Sequence, residues 1–349
     1  MPQQKTSEFV EFVRRSGLVE EAQLTHLLDQ GDEPKGGSGL ICSRLIEAGL
    51  LTPWQSEQLL SGRYQGFFLG KYKILDRLGK GGMSSVFLAE HLQMQRRVAI
   101  KVLTGRLAAQ PEYLERFRQE ARAAARVDHP NIVRAYDVGQ EANVHYLVIE
   151  YIVGADLQQI VAEKGRLDCR EAAEYIRQAA AGLAHVHKSG LVHRDIKPAN
   201  LLVDKNGTLK IVDLGLARLP EETHQSLSAE EEAPIVGTVD YLAPEQSINS
   251  DEVTASADLY SLGCTLYFLL TGQPPFPAGT LVERVRKHRS QEPEDIFRLR
   301  PDAAAELVAI CERMMSKRPQ DRFQQVEELV EILGAWLDGR TSKMLGMMS

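Results

Sequence analysis

The sequence is poor in cysteine and spaces what it has widely. Cys42, Cys169, Cys264 and Cys311 include no Cys-X-X-Cys pair, which argues against a disulfide framework or a thiolate zinc site and fits a reducing compartment. An excess of positive charge is also missing: 48 acidic against 41 basic residues leave a formal net charge of −7. A chain built to neutralise nucleic-acid phosphates needs the opposite balance, so no nucleic-acid partner is expected. Long apolar runs are absent too. The most apolar stretch, residues 259–270, is interrupted by Ser261, Gly263 and Thr265 and falls short of the roughly 20 residues of a membrane span. It reads as a buried core helix. The amino terminus, MPQQKTSEFVEF, has no basic region followed by an apolar one, so no secretory signal is expected. With 43% apolar and 26% charged residues, what remains is a globular chain of about two domains, expected in the cytoplasm as an enzyme or a scaffold.

Residues 1–66 differ from the rest. They show helical periodicity and one flexible interruption, GDEPKGGSG at 31–39. A weak internal repeat aligns residues 16–30 with 48–62, matching Gly17 with Gly49, Leu18 with Leu50, Gln23 with Gln55, Leu27 with Leu59 and Leu28 with Leu60. Each copy reads as helix, Gly-Leu turn, helix, with glycine ending the first helix and Pro53 near the start of a later one. Duplication suits a helix pair that cannot bury its own apolar face alone. The stretch resembles the duplicated helical module that precedes some bacterial secretion ATPases. The arginine-leucine-glycine signature by which part of that family binds a cyclic dinucleotide is absent, so a docking or regulatory module is expected at 1–66.

From about residue 72 the pattern turns to short alternating strands, at 72–79, 85–91 and 97–103, joined by glycine-rich or polar turns. A helix rich in alanine, arginine and glutamate follows over 111–127, then strands at 132–138 and 144–151. The remainder is mostly helical, at 170–189, 258–271, 303–316 and 326–337, with one β-ribbon at 201–204 and 209–212 signalled by Asn206-Gly207. A small β-rich part followed by a larger helical part gives an α+β fold class, with two lobes and a ligand cleft between them. Residues 338–349 read as a flexible tail.

The segment LGKGGMSSV places Leu78, Gly79, Lys80, Gly81 and Gly82 in a turn between two strands, followed by Val86. Glycines there let backbone N–H groups approach phosphate oxygens with no Cβ in the way; Ser84 stands where a GxGxxG loop has its third glycine. Val98-Ala99-Ile100-Lys101 then puts a lysine on the third strand, and Glu120 lies on the next helix. Taken singly, one is a solvated strand lysine and the other a helix-surface charge. Together they fit a lysine held on phosphates by a carboxylate.

At these residues the chain resembles the eukaryotic-like (Hanks-type) serine/threonine protein kinases of bacteria, and further landmarks appear in order. His193-Arg194-Asp195-Ile196-Lys197-Pro198-Ala199-Asn200 is similar to the catalytic loop, and Asp213-Leu214-Gly215 stands where the family has Asp-Phe-Gly. Ala243-Pro244-Glu245, Asp258 and Arg322 match the rest of the larger lobe, and the resemblance covers 72–337. It implies a bilobal kinase fold, a small β-rich lobe and a larger helical one, preceded by the all-α module. It implies ATP and Mg²⁺ as cofactors, with Asp195 orienting the substrate hydroxyl, Lys197 on the transferring phosphoryl group, Lys101 paired with Glu120, and Asn200 and Asp213 as hard oxygen ligands. By position, Glu150 and Ile152 would present backbone groups to the adenine, Ile149 would guard the deeper pocket, Val86, Ala99 and Leu202 would sandwich the ring, and Asp156 would meet the ribose. Lys197 and Gly237-Thr238 resemble the serine/threonine branch, so protein substrates with such acceptors are the implied partners. A docking partner on 1–66 and a homodimer are left open. A pseudokinase scaffold is the alternative; only Ser84 and Leu214 depart from the pattern in its favour.

The resemblance extends to control. Arg194 implies an activation segment ordered by negative charge, with Thr223, Ser226, Ser228 and Thr238 as candidate phosphoacceptors. Bacterial relatives carry paired threonines seven and five residues before this Gly-Thr, where the present chain has Glu230 and Glu232. A carboxylate brings one charge where a phosphoryl group brings about −1.5 to −2, so the substitution is expected to be partial. Replacing Glu230, Glu231 and Glu232 with glutamine should therefore cut the initial rate of phosphatase-treated protein severalfold. An unchanged rate would leave phosphorylation at Thr223, Ser226 or Ser228, or no loop switch at all, as the surviving accounts.

Overall fold

The computed structural model describes residues 6–29, 37–81, 84–103, 105–213, 239–248 and 253–340. Contacts divide the chain into two compact units, Met1–Pro111 with Tyr136–Tyr151, and Glu112–Ala135 with Ile152–Ser349.

The first unit begins with four helices, α1 (Thr6–Ser16), α2 (Glu21–Asp29), α3 (Gly37–Glu47) and α4 (Pro53–Leu60). Their apolar faces meet in a core where Phe9, Val13, Leu24, Leu45 and Leu59 have no exposed surface. Gly17 and Gly49, the repeat's matched glycines, both take left-handed backbone angles, φ +66° and +68°. That conformation is cheap only for glycine and turns the chain from one helix to the next. A six-stranded sheet follows, in the order β1-β2-β3-β4-β6-β5. Its strands are β1 (Phe68–Leu69), β2 (Tyr72–Lys80), β3 (Ser84–His91), β4 (Arg96–Leu103), β5 (Ala135–Glu141) and β6 (Val144–Glu150), with the short helix α5 (Gly105–Ala108) after β4. Ile74, Ala89, Val98, Ile100 and Val148 form its core. The Trp54 indole packs against both this core and that of the helices, edge-on to Phe67 at 6.0 Å and to Phe87 at 5.9 Å.

The second unit holds α6 (Pro111–Ala124, its first residue in the other unit), the small sheet β7 (Gly154–Asp156), β8 (Leu201–Asp204) and β9 (Leu209–Ile211), and the helices α7 (Leu157–Lys164), α8 (Cys169–Lys188), α9 (Ala255–Thr271), α10 (Leu281–Ser290), α11 (Ile296–Leu299), α12 (Ala305–Met314) and α13 (Val326–Leu337). Helix α9 is buried from Ala257 to Leu270 on all sides, as a helix that is apolar around most of its circumference demands. Alanines 172, 173, 179 and 180 bury one face of α8 in the same core. Two differences from the sequence reading have plain causes. Ile132 and Val133 are not in β5: Val133 N donates to Ile211 O and Ile211 N to Asn131 O, so β9 takes them. Helices α7 and α10 had no strong apolar period; caps Asp156 and Thr280 start them. Gly82, Leu214, Gly215, Thr223, Ser226, Ser228, Glu230–Glu232, Gly237, Thr238 and most of the tail lie outside the described residues.

Because Trp54 serves two cores at once, Trp54→Ala should destabilise the first unit by about 2–3 kcal/mol. Thermal unfolding of the full chain, followed by near-UV circular dichroism, measures the loss.

Candidate active site

In the first unit, strand register gathers the residues the sequence singles out. Gly79 of β2 faces Val86 of β3, and Val86 faces Lys101 of β4. Cross-strand partners share a face, as do residues two apart on a strand, so Val86, Ala99 and Lys101 line one side of the sheet. Ala99 faces Ile149, and Val98 faces Glu150, on β6. Lys101 is 8% exposed. Leu78, Lys80 and Gly81 are exposed at the tip, where Gly81 N donates to Ser84 O at 2.8 Å. Glu120 sits on α6 in the second unit, half-buried.

In the second unit the site is built on a buried carboxylate. Asp258 of α9 has no exposed surface. Its Oδ2 accepts from His193 N and His187 Nε2, both at 2.8 Å, and its Oδ1 from Arg194 N at 2.7 Å. Arg194 takes φ +67°, and its carbonyl accepts from Gln246 Nε2 at 2.8 Å. His193 accepts from Asp195 N on Nδ1, so its proton lies on Nε2, which donates to Val212 O at 3.2 Å. Both ring nitrogens of this buried imidazole are thus engaged by backbone groups. Asp195 Oδ2 accepts from Lys197 Nζ and from Asn200 Nδ2, each at 2.9 Å, and Asn200 Nδ2 also donates to Asp195 O at 2.8 Å. The Asn200 amide is thereby oriented, its nitrogen toward Asp195. Asp213 follows Val212 with φ +53°.

Asp156, the cap of α7, accepts from Gln159 N at 2.8 Å, and burial raises its carboxyl above the ordinary value. It lies opposite Leu202 in the β7–β8 ladder, so the expected ribose and adenine contacts are neighbours; Ile152 is buried just before β7. Arg322 has no exposed side-chain surface and grips Glu245 through two bonds of 2.7 and 2.9 Å.

The family model described as "Protein kinase domain" matches residues 72–332. The chain belongs to the protein kinase family. It is 40% identical over 263 residues to serine/threonine-protein kinase PknB of Mycolicibacterium smegmatis, a match covering 74% of this chain and 42% of that protein. It is 37% identical over 260 residues to serine/threonine-protein kinase PrkC of Bacillus subtilis, covering 74% and 39%. The solved kinase domain of PknI from Mycobacterium tuberculosis, 27% identical, superposes with a TM-score of 0.60 over 77% of this chain and 97% of that one. The chain thus spans less than half the length of these curated relatives.

Three kinase residues escaped the sequence reading. Gln246 ties the Ala243-Pro244-Glu245 turn to the Arg194 carbonyl, His187 shares Asp258, and Arg284 of α10 pairs with Asp240 at 2.7 Å. Each acts through a partner far away in sequence, which no local motif announces. Replacing Asp258 with asparagine puts an amide N–H against a backbone N–H or the His187 ring. We expect a loss of about 2–4 kcal/mol, read as a lower urea midpoint at an unchanged slope.

Proposed function

We propose that this chain transfers the γ-phosphoryl group of ATP to serine or threonine hydroxyls of proteins. The observation that carries the reading is the Asp195 carboxylate, oriented by Lys197 and Asn200 within one loop. Phosphoryl transfer asks for positioning and charge neutralisation more than for covalent help. Asp195 holds the acceptor hydroxyl and takes its proton. Lys197 stays beside Asp195 and meets the negative charge on the transferring group. Lys101, with Glu120 as its counter-ion, steadies the remaining phosphates, and the glycine turn lets the backbone approach them with no Cβ in the way. Asn200 Oδ1 and the Asp213 carboxylate suit Mg²⁺, which keeps few protein oxygens and takes the rest from phosphates and water. Bound Mg²⁺ supplies charge neutralisation along the phosphate chain.

Glu150 and Ile152 offer backbone groups to the adenine edge, Val86, Ala99 and Leu202 its apolar walls, and Asp156 an acceptor for the ribose. Residues 72–337 form the catalytic domain in this proposal, with 1–66 as a docking or regulatory module. No helix among the described residues is long and apolar enough to cross a membrane. A cytoplasmic setting is proposed from the four free cysteines, which suit a reducing compartment. The scaffold reading has less support, since Lys101, Glu120, Asp195, Asn200 and Asp213 are all present.

The test is transfer of labelled phosphate from Mg-ATP to a generic basic protein. Lys101→Met and Asp213→Asn should each lower the rate by at least about a hundredfold with a cooperative melting transition retained. Near-normal turnover by a folded Asp213→Asn protein would sink the mechanism.

A further inference from the structure

Strand β2 is irregular where it leads into the glycine turn. Its pairing with β3 slips between Ile74 and Asp76 and again between Arg77 and Gly79, leaving Leu75 and Leu78 unpaired. A bulge of this kind bends the strand, increases its twist and takes backbone groups out of the ladder. A buried carbonyl left without a donor is costly. At the first bulge the donors come from helix α4. Thr52 Oγ1 donates to Leu75 O at 2.5 Å, and Gln55 Nε2 donates to Ile74 O at 2.6 Å.

The same two residues form the capping box of α4. Gln55 N donates to Thr52 Oγ1 at 3.1 Å, and Thr52 N donates to Gln55 Oε1 at 2.9 Å. A capping box ordinarily closes a helix end on itself. Here each side chain accepts from its own helix and donates to the bulged strand, and Gln55 is 1% exposed. Two neighbouring contacts reinforce the junction: Lys73 Nζ donates to Leu18 O at 3.3 Å, and Trp54 stands edge-on to Phe87 of β3. Both Thr52 and Gln55 precede Tyr72, where the family match begins. Four residues beyond Leu75 the strand reaches Gly79.

The geometry points to Thr52 and Gln55 as positioning residues for the phosphate-binding turn. By holding the β2 bulge they fix the bend of the strand, and hence where the glycine turn stands relative to the row of Val86 and Lys101. Their effect falls on ATP binding and leaves the chemical step alone. The inference rests on the reading of residues 78–82 as the phosphate turn of a kinase.

Thr52→Val keeps the side chain's shape and removes its hydroxyl, whereas Thr52→Ser keeps the hydroxyl. In the full-length chain, Thr52→Val should raise KM for ATP about three- to tenfold with kcat within about twofold of wild type, and Thr52→Ser should restore it. Gln55→Met should shift KM in the same direction, and it carries the comparison if Thr52→Val does not fold. A lowered melting temperature with an unchanged KM for ATP would show a merely structural plug and overturn the inference, as would a fall in kcat at constant KM. Affinity for a fluorescent ATP analogue, measured on the same proteins, separates the two readings. Absence of phosphotransfer by wild type would sink the kinase reading alone, and unchanged analogue affinity in the variants would sink the positioning role alone.

Discussion

Asp258 is the constraint on which the catalytic loop depends. A carboxylate without exposed surface is costly unless both oxygens are hydrogen-bonded, and here two backbone N–H groups and one imidazole bind them. Those two N–H groups belong to consecutive residues, His193 and Arg194, so a single side chain on α9 dictates the path of the loop just before Asp195. The helix that carries it is buried on all sides, which keeps the anchor from shifting. Removing the carboxylate would leave two buried donors unmatched at once, the kind of loss that packing elsewhere cannot absorb.

A second anchor holds the other end of the segment. Arg322 meets Glu245 with a two-pronged geometry that lysine cannot reproduce, and its remaining N–H groups go to the carbonyls of Ser316, Ser256 and Lys317. Every partner is specified, so the ion pair works as a fixed joint. Gln246, the residue after Glu245, then reaches back to the Arg194 carbonyl. The two anchors are linked through a single side-chain amide.

Much of this was legible in the sequence, and the reason is local. Strands β2, β3 and β4 are rich in strand-forming residues and are cut by glycine or polar turns, so their limits are read to within a residue. Helix α13 coincides with its expected span, 326–337, because its apolar period is unbroken. The site residues could be ordered along the chain because each belongs to a short motif. What stayed hidden depends on partners distant in sequence. Ile132 and Val133 looked like strand residues from their side chains alone, and only β9 shows where their backbone goes. The bulge at Leu75 leaves no mark on composition, and Thr52 and Gln55 read simply as the start of a helix. Such features come from backbone groups seeking partners, which a string of side chains does not record.

The backbone angles show where the fold tolerates strain. Among the described residues, four that are not glycine have positive φ: Gln95, Ala142, Arg194 and Asp213. Gln95 lies in the turn between β3 and β4, and Ala142 in that between β5 and β6; tight turns impose such angles. Arg194 and Asp213 have no hairpin to explain them. Each costs on the order of 1–3 kcal/mol and persists only where its surroundings over-determine it. For Arg194 the surroundings are visible, since its N–H is held by Asp258 and its carbonyl by Gln246. For Asp213 the hold is on the residue before it: Val212 N donates to Asn200 O, and Val212 O accepts from His193. Both strained residues therefore hang from the loop that carries Asp195 and Asn200. The interactions that fix the Asp195 carboxylate also hold the backbone from which Asp213 leaves the chain, so the two acidic residues are set by one hydrogen-bonded framework.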